Sequence, residues 1–524
     1  MKTKRISIRA RPDLFLARAG ARAWQEPLCP GSAFRQKATP GPSKTRDKSA
    51  RERFRLDNPT IREDNRGVSV WKNLLRENLY RTARPVFVFE SGMIAGANLW
   101  TGARTYVNTF RESGIDRGRR VIIALPHGRS FLWSLLACLQ EELSICPVPS
   151  TMDGRALHEL ATSLDATMII GTEDARTPDG FIVGPAVPEG RLFLKAASGP
   201  ATPEVRFLLA TSGTTGRKRI AALTDTNVLS VLRSHQDALP TIETTRLSLL
   251  PWFHAFGLIL ELLPALLSRG TILRDPSGGR DPAWLLSMLQ GNQEQLALNL
   301  VPLTARIILE RDPDALRFVT GLVGGAPVSG DLAERLRNSR LRPGYGQTEA
   351  APGIMTGEPG EWAACLLGRP RGCRVLVAED GELKFAGDNA FAGYWENGGL
   401  KARADGFVAT GDIVEEHDGR FFFKGRKSFS AKLANGRWFF PETLETELTG
   451  SLGTNHLLAR ATKTGRIEIL VDRQETRKQL LELRDQRRFA LAALVDAVRV
   501  VPAEQLTLDQ KGMPIRSRGR RVAT

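Results

Sequence analysis

The sequence predicts an α/β protein with a large N-terminal domain followed by a small α+β C-terminal domain. Strand-like and helix-like segments alternate from residue 86 onward, which is typical of a layered domain around a largely parallel sheet. The composition, with 42% hydrophobic and 25% charged residues in a chain of 524, is that of a globular protein. Beyond Arg426 the segments become short, charged and mixed, which indicates a second, smaller domain.

The predicted elements follow this division in chain order. Strands are expected at 86–90, 120–126, 145–149, 167–171 and 206–210, and helices at 97–113, 130–142 and 155–165. A β segment at 419–425 closes the large domain, and the small domain has strands at 468–471 and 498–501 with a helix at 475–494. The chain is therefore divided into an extension at 1–66, a large domain at 67–425 and a small domain at 426–524.

The extension at 1–66 is basic and is predicted to be disordered. It holds 17 Lys and Arg against 7 Asp and Glu, and so carries most of the formal charge of +17. It could be a targeting peptide, a contact for an anionic partner, a dock for an acidic carrier domain, or a solvated tail without a role. Secretion is disfavoured because no apolar signal region is present, and nucleic acid is not an expected partner because only charge supports it.

Neither a membrane span nor a disulfide framework is expected. The longest apolar stretch, 249–267, contains Pro251, His254, Glu261 and Pro264 and is better interpreted as buried core than as a transmembrane segment. The five cysteines are odd in number and form no C-x-x-C pair, which favours a reducing compartment over disulfides or a zinc site. We expect a cytoplasmic protein.

A loop of glycines and hydroxyl residues follows the predicted strand at 206–210. It reads Thr211-Ser212-Gly213-Thr214-Thr215-Gly216 and continues with the cations Arg217-Lys218-Arg219. Glycines allow the backbone to approach an oligophosphate, the N–H and hydroxyl groups donate to its oxygens, and the cations neutralise it. The loop matches neither the Walker A pattern nor G-x-G-x-x-G. An ordinary polar turn is the alternative.

Further motifs follow this loop in a fixed order. They are Pro251-Trp252-Phe253-His254-Ala255-Phe256-Gly257, Gly324-Gly325-Ala326-Pro327, Gly344-Tyr345-Gly346-Gln347-Thr348-Glu349, Gly393-Tyr394-Trp395, Thr410-Gly411-Asp412, Gly425-Arg426 and Gly436 with Pro441 and Glu445. Together with the loop they resemble the adenylate-forming superfamily of acyl- and aryl-CoA synthetases, fatty acyl-AMP ligases, peptide-synthetase adenylation domains and luciferases. The resemblance covers roughly residues 68–524.

The resemblance implies that a carboxylic acid reacts with ATP to give an acyl-adenylate, which is passed to a thiol of CoA or of an acyl carrier protein. The small domain would rotate about the hinge between the two steps. Thr348 would approach the α-phosphate and Glu349 would hold Mg²⁺. Asp412 would accept from the ribose hydroxyls with help from Arg426. The remaining implied contacts are Tyr345 stacked on adenine, Gly324, Gly325 and Ala326 on its other face, and Phe253 and His254 beside the acid.

Two positions depart from the family pattern. Arg219 stands where the loop usually has a lysine, although a guanidinium also binds phosphate. Met513 occupies the position of the catalytic lysine of the C-terminal G-K-x-x-R motif, which leaves Lys511 as the candidate. A catalytically impaired homologue that binds a nucleotide or an acyl group is therefore the alternative function.

The substrate is expected to be a fatty or aromatic acid. The segment from Trp252 to Leu263 is apolar, and no clear acid is present to hold the α-ammonium group of an amino acid. Gly436 and Arg437 before an aromatic pair resemble fatty acyl-AMP ligases, so the acceptor, CoA or a carrier protein, stays open.

Overall fold

The computed structural model describes residues 70–80, 83, 85–195, 199–211, 219–239, 244–268, 270–291, 296–489, 491–509 and 513–516. The predicted extension at 1–66, the five loop residues Ser212, Gly213, Thr214, Thr215 and Gly216, and the candidate Lys511 all lie outside the described residues. The expectations for these residues stay predictions.

Strands predicted early in the chain form the centre of a nine-stranded sheet. Its strands are β3 (Arg120–Ile123), β4 (Ser144–Pro147), β5 (Met168–Gly171), β6 (Ile182–Val187), β7 (Gly190–Leu194), β8 (Phe207–Ala210), β9 (Ile220–Leu223), β19 (Gly393–Glu396) and β20 (Gly399–Ala402). Their order across the sheet is β20-β19-β9-β8-β4-β3-β5-β7-β6. The central strands β3, β4, β5 and β8 run parallel. Every residue of β3, β4 and β5 is buried, including the polar Arg120 and Ser144 that begin β3 and β4.

A second sheet has thirteen strands. They are β1 (Val86–Phe89), β2 (Gly92–Ala95), β10 (Thr245–Ser248), β11 (Thr271–Arg274), β12 (Leu296–Leu298), β13 (Thr320–Gly324), β14 (Arg340–Tyr345), β15 (Met355–Thr356), β16 (Leu366–Pro370), β17 (Arg374–Val377), β18 (Glu382–Ala386), β21 (Val408–His417) and β22 (Arg420–Arg426). Their order across the sheet is β17-β18-β21-β22-β16-β15-β14-β13-β12-β10-β11-β1-β2.

The prediction of a largely parallel sheet holds only for the central strands. Strands β1 and β10 to β14 pair in parallel, but the strands from β15 onward in this sheet pair antiparallel. The reason lies in the connections, because strands that follow one another without an intervening helix are joined by turns and so reverse direction. The predicted segment at 419–425 is β22, whose seven residues end at Arg426.

Helices pack on these sheets. They are α1 (Val70–Leu79), α2 (Gly96–Glu112), α3 (Arg129–Gln140), α4 (Gly154–Leu164), α5 (Asp225–Ser234), α6 (Ala255–Gly257), α7 (Leu263–Leu266), α8 (Pro282–Gly291), α9 (Pro302–Arg311) and α10 (Gly330–Leu336). A π-helical turn, Leu258–Leu262, joins α6 to α7. Its residues are buried, in agreement with the prediction that 249–267 is core. Among the described residues, no helix is long and apolar enough to cross a bilayer.

The chain after β22 forms a small α+β unit. It contains the hairpin β23 (Ala431–Lys432) and β24 (Trp438–Phe439), the helices α11 (Pro441–Leu452) and α12 (Gln474–Asp485), and the strands β25 (Leu457–Ala461), β26 (Ile467–Val471) and β27 (Val495–Val500). The helix predicted at 475–494 is wrong in its end, because α12 stops at Asp485. Arg487 there adopts a left-handed φ of 53°, which a continuing right-handed helix cannot contain.

Candidate active site

The two ends of the predicted phosphate loop lie side by side, where β8 ends and β9 begins in the nine-stranded sheet. Antiparallel pairing of β8 with β9 places Ala210 opposite Ile220, and the Thr211 N–H donates to the Arg219 carbonyl at 2.8 Å. The hairpin register therefore brings the Arg219 side chain, about half exposed, to the same sheet edge as Thr211.

Glu349 lies next to Arg219. It belongs to a 3₁₀ turn, Thr348–Ala350, that follows β14, and only 8% of its surface is exposed. Its Oε1 accepts a hydrogen bond of 2.8 Å from Tyr394 Oη and lies 3.8 Å from Arg219 Nη2. Thr348 precedes it and is half-buried. Three motifs distant in sequence thus meet at one carboxylate.

A second cluster surrounds Asp412, whose side chain is almost completely buried. Strands β21 and β22 place Asp412 opposite Arg426, and Arg426 Nε lies 2.7 Å from Asp412 Oδ1. Tyr345, at the end of β14, donates its hydroxyl to Asp412 Oδ2 at 2.7 Å. Burial and the nearby carboxylate raise the pKa of Tyr345 well above its usual value, so the phenol stays a donor.

The charged groups of the two clusters interact with one another. Burial lowers the pKa of the Arg426 guanidinium, but the charges around it, with Asp412 the largest and Glu349 a smaller contributor, outweigh burial and raise the pKa above its usual value. Three residues separate Tyr345 from Glu349, so β14 and the 3₁₀ turn present one residue to each cluster. The structure therefore brings together Arg219, Glu349, Tyr345, Asp412 and Arg426, which the sequence analysis selected separately.

The glycine-rich turn after β13 is shaped by close backbone packing. A Cβ at Gly324 would lie 2.5 Å from the Gly344 carbonyl oxygen on the paired strand β14, so only glycine fits there. Gly325 has a φ of 87°, a conformation that also favours glycine. Ala326 lines a cleft that Met513 also lines.

The C-terminal stretch is anchored through Arg516. Its Nη2 contacts both carboxylate oxygens of Glu445 at 2.5 and 2.6 Å, and its Nη1 donates to the Ala459 carbonyl at 2.9 Å. Met513 is held by reciprocal bonds with Asp509, of 2.9 Å from its N–H and 2.8 Å to its carbonyl. The arginine of the G-K-x-x-R-like stretch is thus a structural anchor, and a methionine lies on the cleft wall.

Phe253 and His254 are half-buried and lie with ring centroids 4.8 Å apart, before the short helix α6. A third ring, His127, belongs to no motif found in the sequence, and its centroid is 5.4 Å from that of Phe253. Burial, followed by the charges of Arg274 and His254, lowers the pKa of His127 to about 3. His127 is therefore neutral at neutral pH.

Arg274, at the end of β11, holds His127 and the backbone before Phe253 in place through hydrogen bonds. Its guanidinium donates to His127 Nδ1 at 2.9 Å and to the carbonyls of Ser248 and Leu250 at 3.2 and 2.8 Å. Glu261 lies 3.9 Å away, and burial raises the pKa of Glu261 to about 7. His127 follows the predicted strand at 120–126, and functional residues often occupy loops after parallel strands, so its position was the signal available.

Comparison with known proteins identifies the family of the chain. The family model for AMP-binding enzymes matches residues 76–395. A feruloyl-CoA synthase from an Amycolatopsis species is 30% identical over 382 residues, which cover 66% of this chain and 76% of the relative. The long-chain-fatty-acid–CoA ligase 1 of Homo sapiens is 27% identical over 323 residues, covering 49% of this chain and 46% of the relative.

Solved structures share the fold. The O-succinylbenzoate coenzyme A synthetase MenE from Bacillus subtilis, in complex with AMP, has a TM-score of 0.71 at 17% identity and covers 86% of this chain and 98% of its own. ATP-bound MatB from Rhodopseudomonas palustris has a TM-score of 0.68 at 19% identity, with coverages of 85% and 97%. The family model spans more than half of the chain. The chain therefore belongs to the AMP-binding enzyme family, the adenylate-forming superfamily, and is an enzyme of the acid–thiol ligase class.

Proposed function

We propose that the protein activates a fatty or aromatic carboxylic acid with ATP and transfers the acyl group to a thiol. A carboxylate oxygen attacks the α-phosphorus, the bond to the β-phosphate oxygen breaks, and pyrophosphate leaves. A thiol then attacks the acyl carbonyl carbon and AMP departs. The observation that carries the proposal is the contact of Arg219, at one end of the predicted phosphate loop, with Glu349, together with the Tyr345–Asp412–Arg426 cluster that begins on the strand before Glu349.

The charges of these residues suit the first step. Two anions about 4 Å apart repel by about 4 kcal/mol at an effective dielectric constant near 20. Arg219 and the loop from Thr211 to Gly216 supply cationic and N–H groups for the phosphates, and Thr348 is assigned to the α-phosphate. On the nucleoside side, Asp412 accepts from the ribose while Tyr345 and the turn from Gly324 to Ala326 enclose the adenine.

The residues present fit Mg²⁺. This ion prefers oxygen ligands and is usually held by one or two carboxylates together with substrate phosphates. Glu349 offers one buried carboxylate beside the predicted phosphate loop, which is the donor set that such a site needs. Bound there, Mg²⁺ would neutralise charge on the phosphates.

We assign nucleotide binding to residues 67–425, with a small domain at 426–524 that rotates at Gly425–Arg426 and a basic extension at 1–66. Lys511 is proposed as the lysine of the adenylation step, since Met513 cannot carry charge. Phe253 and His254 are assigned to the acid. The feruloyl-CoA synthase and long-chain ligase relatives support an aromatic or a fatty acid, and both names favour CoA as the acceptor over a carrier protein.

Pyrophosphate release and hydroxamate trapping test the proposal. The full-length chain is incubated with ATP, Mg²⁺ and ferulate, benzoate, palmitate or phenylalanine, with and without CoA. Hydroxamate formation with a fatty or aryl acid, absent with phenylalanine, supports the proposal. No product with any acid, despite ATP binding, supports the impaired homologue, for which Met513 is the specific observation.

A further inference from the structure

Tyr394 contacts both Glu349 and Arg219 in the candidate active site, although its motif was matched without a role. Its hydroxyl donates to Glu349 Oε1 at 2.8 Å. The other side of the contact is Arg219, whose guanidinium carbon lies 4.1 Å from the centroid of the Tyr394 ring. A single aromatic side chain therefore touches both the proposed metal ligand and the proposed phosphate cation.

The sheet register holds Tyr394 in this position. Strand β19 pairs with β9, so that Tyr394 lies opposite Ala221 and Trp395 lies opposite Ile220. Because side chains alternate along a strand, Trp395 enters the core, where it is 3% exposed, while Tyr394 faces the site. Phe391 packs edge-on against the Tyr394 ring at 4.8 Å, which limits the ring's movement.

The chemistry of the contact is specific to these three side chains. The Tyr394 hydroxyl donates a hydrogen bond to the Glu349 carboxylate, which a phenylalanine at this position could not do. A planar guanidinium can stack on an aromatic ring while keeping its charge near a carboxylate, whereas an ammonium group cannot stack. The arginine at 219, in place of the lysine usual in this loop, is thus matched to Tyr394.

We propose that Tyr394 is a positioning residue for Glu349 and Arg219. It orients the Glu349 carboxylate for the metal–nucleotide complex and holds the Arg219 guanidinium, by stacking, at the edge of the phosphate loop. This inference rests on the proposed function. Its consequence is that the ring and the hydroxyl of Tyr394 act separately, the ring through Arg219 and the hydroxyl through Glu349.

Binding of the manganese–ATP complex tests this division without turnover. ATP binding is measured by equilibrium dialysis with and without MnCl₂, and free Mn²⁺ is counted by electron paramagnetic resonance. Tyr394→Phe removes the hydroxyl but keeps the ring, so we expect about tenfold weaker Mn²⁺ binding in the presence of ATP, with ATP binding in the absence of metal unchanged. Arg219→Lys should instead weaken metal-free ATP binding by about threefold.

The matched control is Tyr106→Phe, because Tyr106 also donates a part-buried hydrogen bond, of 2.7 Å to the Pro188 carbonyl, and its ring packs against Phe110 and Trp133, which are not residues of the candidate site. It should leave both binding constants unchanged. Thermal unfolding of each variant establishes that it is folded.

A double-mutant cycle with Glu349→Gln decides whether the hydroxyl acts through the carboxylate. If it does, Tyr394→Phe has little further effect on Mn²⁺ binding in the Glu349→Gln background. An equal loss in both backgrounds, or unchanged Mn²⁺ binding in Tyr394→Phe, overturns the inference while the proposed function stands. Failure of the wild-type chain to bind ATP under any condition overturns both.

Discussion

Replacing Asp412 with alanine tests the nucleotide side of the site. The carboxylate is 1% exposed and has two contacts of 2.7 Å, with Tyr345 Oη and with Arg426 Nε. Hydrogen bonds to charged groups contribute about 1.5–3 kcal/mol each. The Arg426 side chain is 32% exposed, so water partly compensates for its lost partner. We therefore expect the free energy of unfolding to fall by about 3 kcal/mol, at the lower end for a broken buried pair.

The same substitution should weaken ATP binding independently of the acid. An acceptor lost to the ribose hydroxyls corresponds to about a tenfold to hundredfold higher half-saturating ATP concentration. This concentration is measured from pyrophosphate release with three acids of different length, and stability is measured by urea unfolding. Asp405→Ala, at an exposed aspartate, is the control and should change neither quantity.

The result that would refute this reasoning is an increase confined to one acid, because the ribose contact does not involve the acyl chain. A half-saturating ATP concentration changed by less than about twofold in a folded variant would likewise remove Asp412 from the nucleotide site.

The other predictions concern stability and the C-terminal stretch. Burial lowers the pKa of His235 to about 4, below its value in the unfolded chain, so its contribution is complete above about pH 6.5 and is lost as the pH falls toward 4, by about 3 kcal/mol; a His235→Gln variant with the same urea-unfolding profile from pH 7 to 4 would contradict this. Met513→Lys should raise the rate of hydroxamate formation and Lys511→Ala should lower it by about tenfold or more; an unchanged rate in Lys511→Ala removes that residue from the mechanism. Gly324→Ala should lower the thermal midpoint by several degrees, because its Cβ would lie 2.5 Å from the Gly344 oxygen; an unchanged midpoint would show that the paired strands can separate.

Sequence reasoning recovered those parts of the fold that depend on neighbouring residues. The predicted strands 86–90, 120–126 and 167–171 correspond to β1, β3 and β5, because each contains three consecutive apolar residues that are buried. The predictions from sequence were wrong where the structure depends on residues that are distant in the chain or on a single backbone conformation. The end of α12 depends on the backbone conformation at Arg487, and the antiparallel half of the larger sheet depends on connections between short strands.

The sequence by itself determined the family and the order of its motifs, because each motif is a contiguous run whose residue types carry their own chemistry. Only the tertiary structure decided which side chains act on one another. Tyr345 and Asp412 are 67 residues apart, Tyr394 and Glu349 are 45 apart, and Arg274 and His127 are 147 apart. Such pairs are created by strand order and register, which bring distant segments to one sheet edge, and no local pattern in the chain encodes that distance.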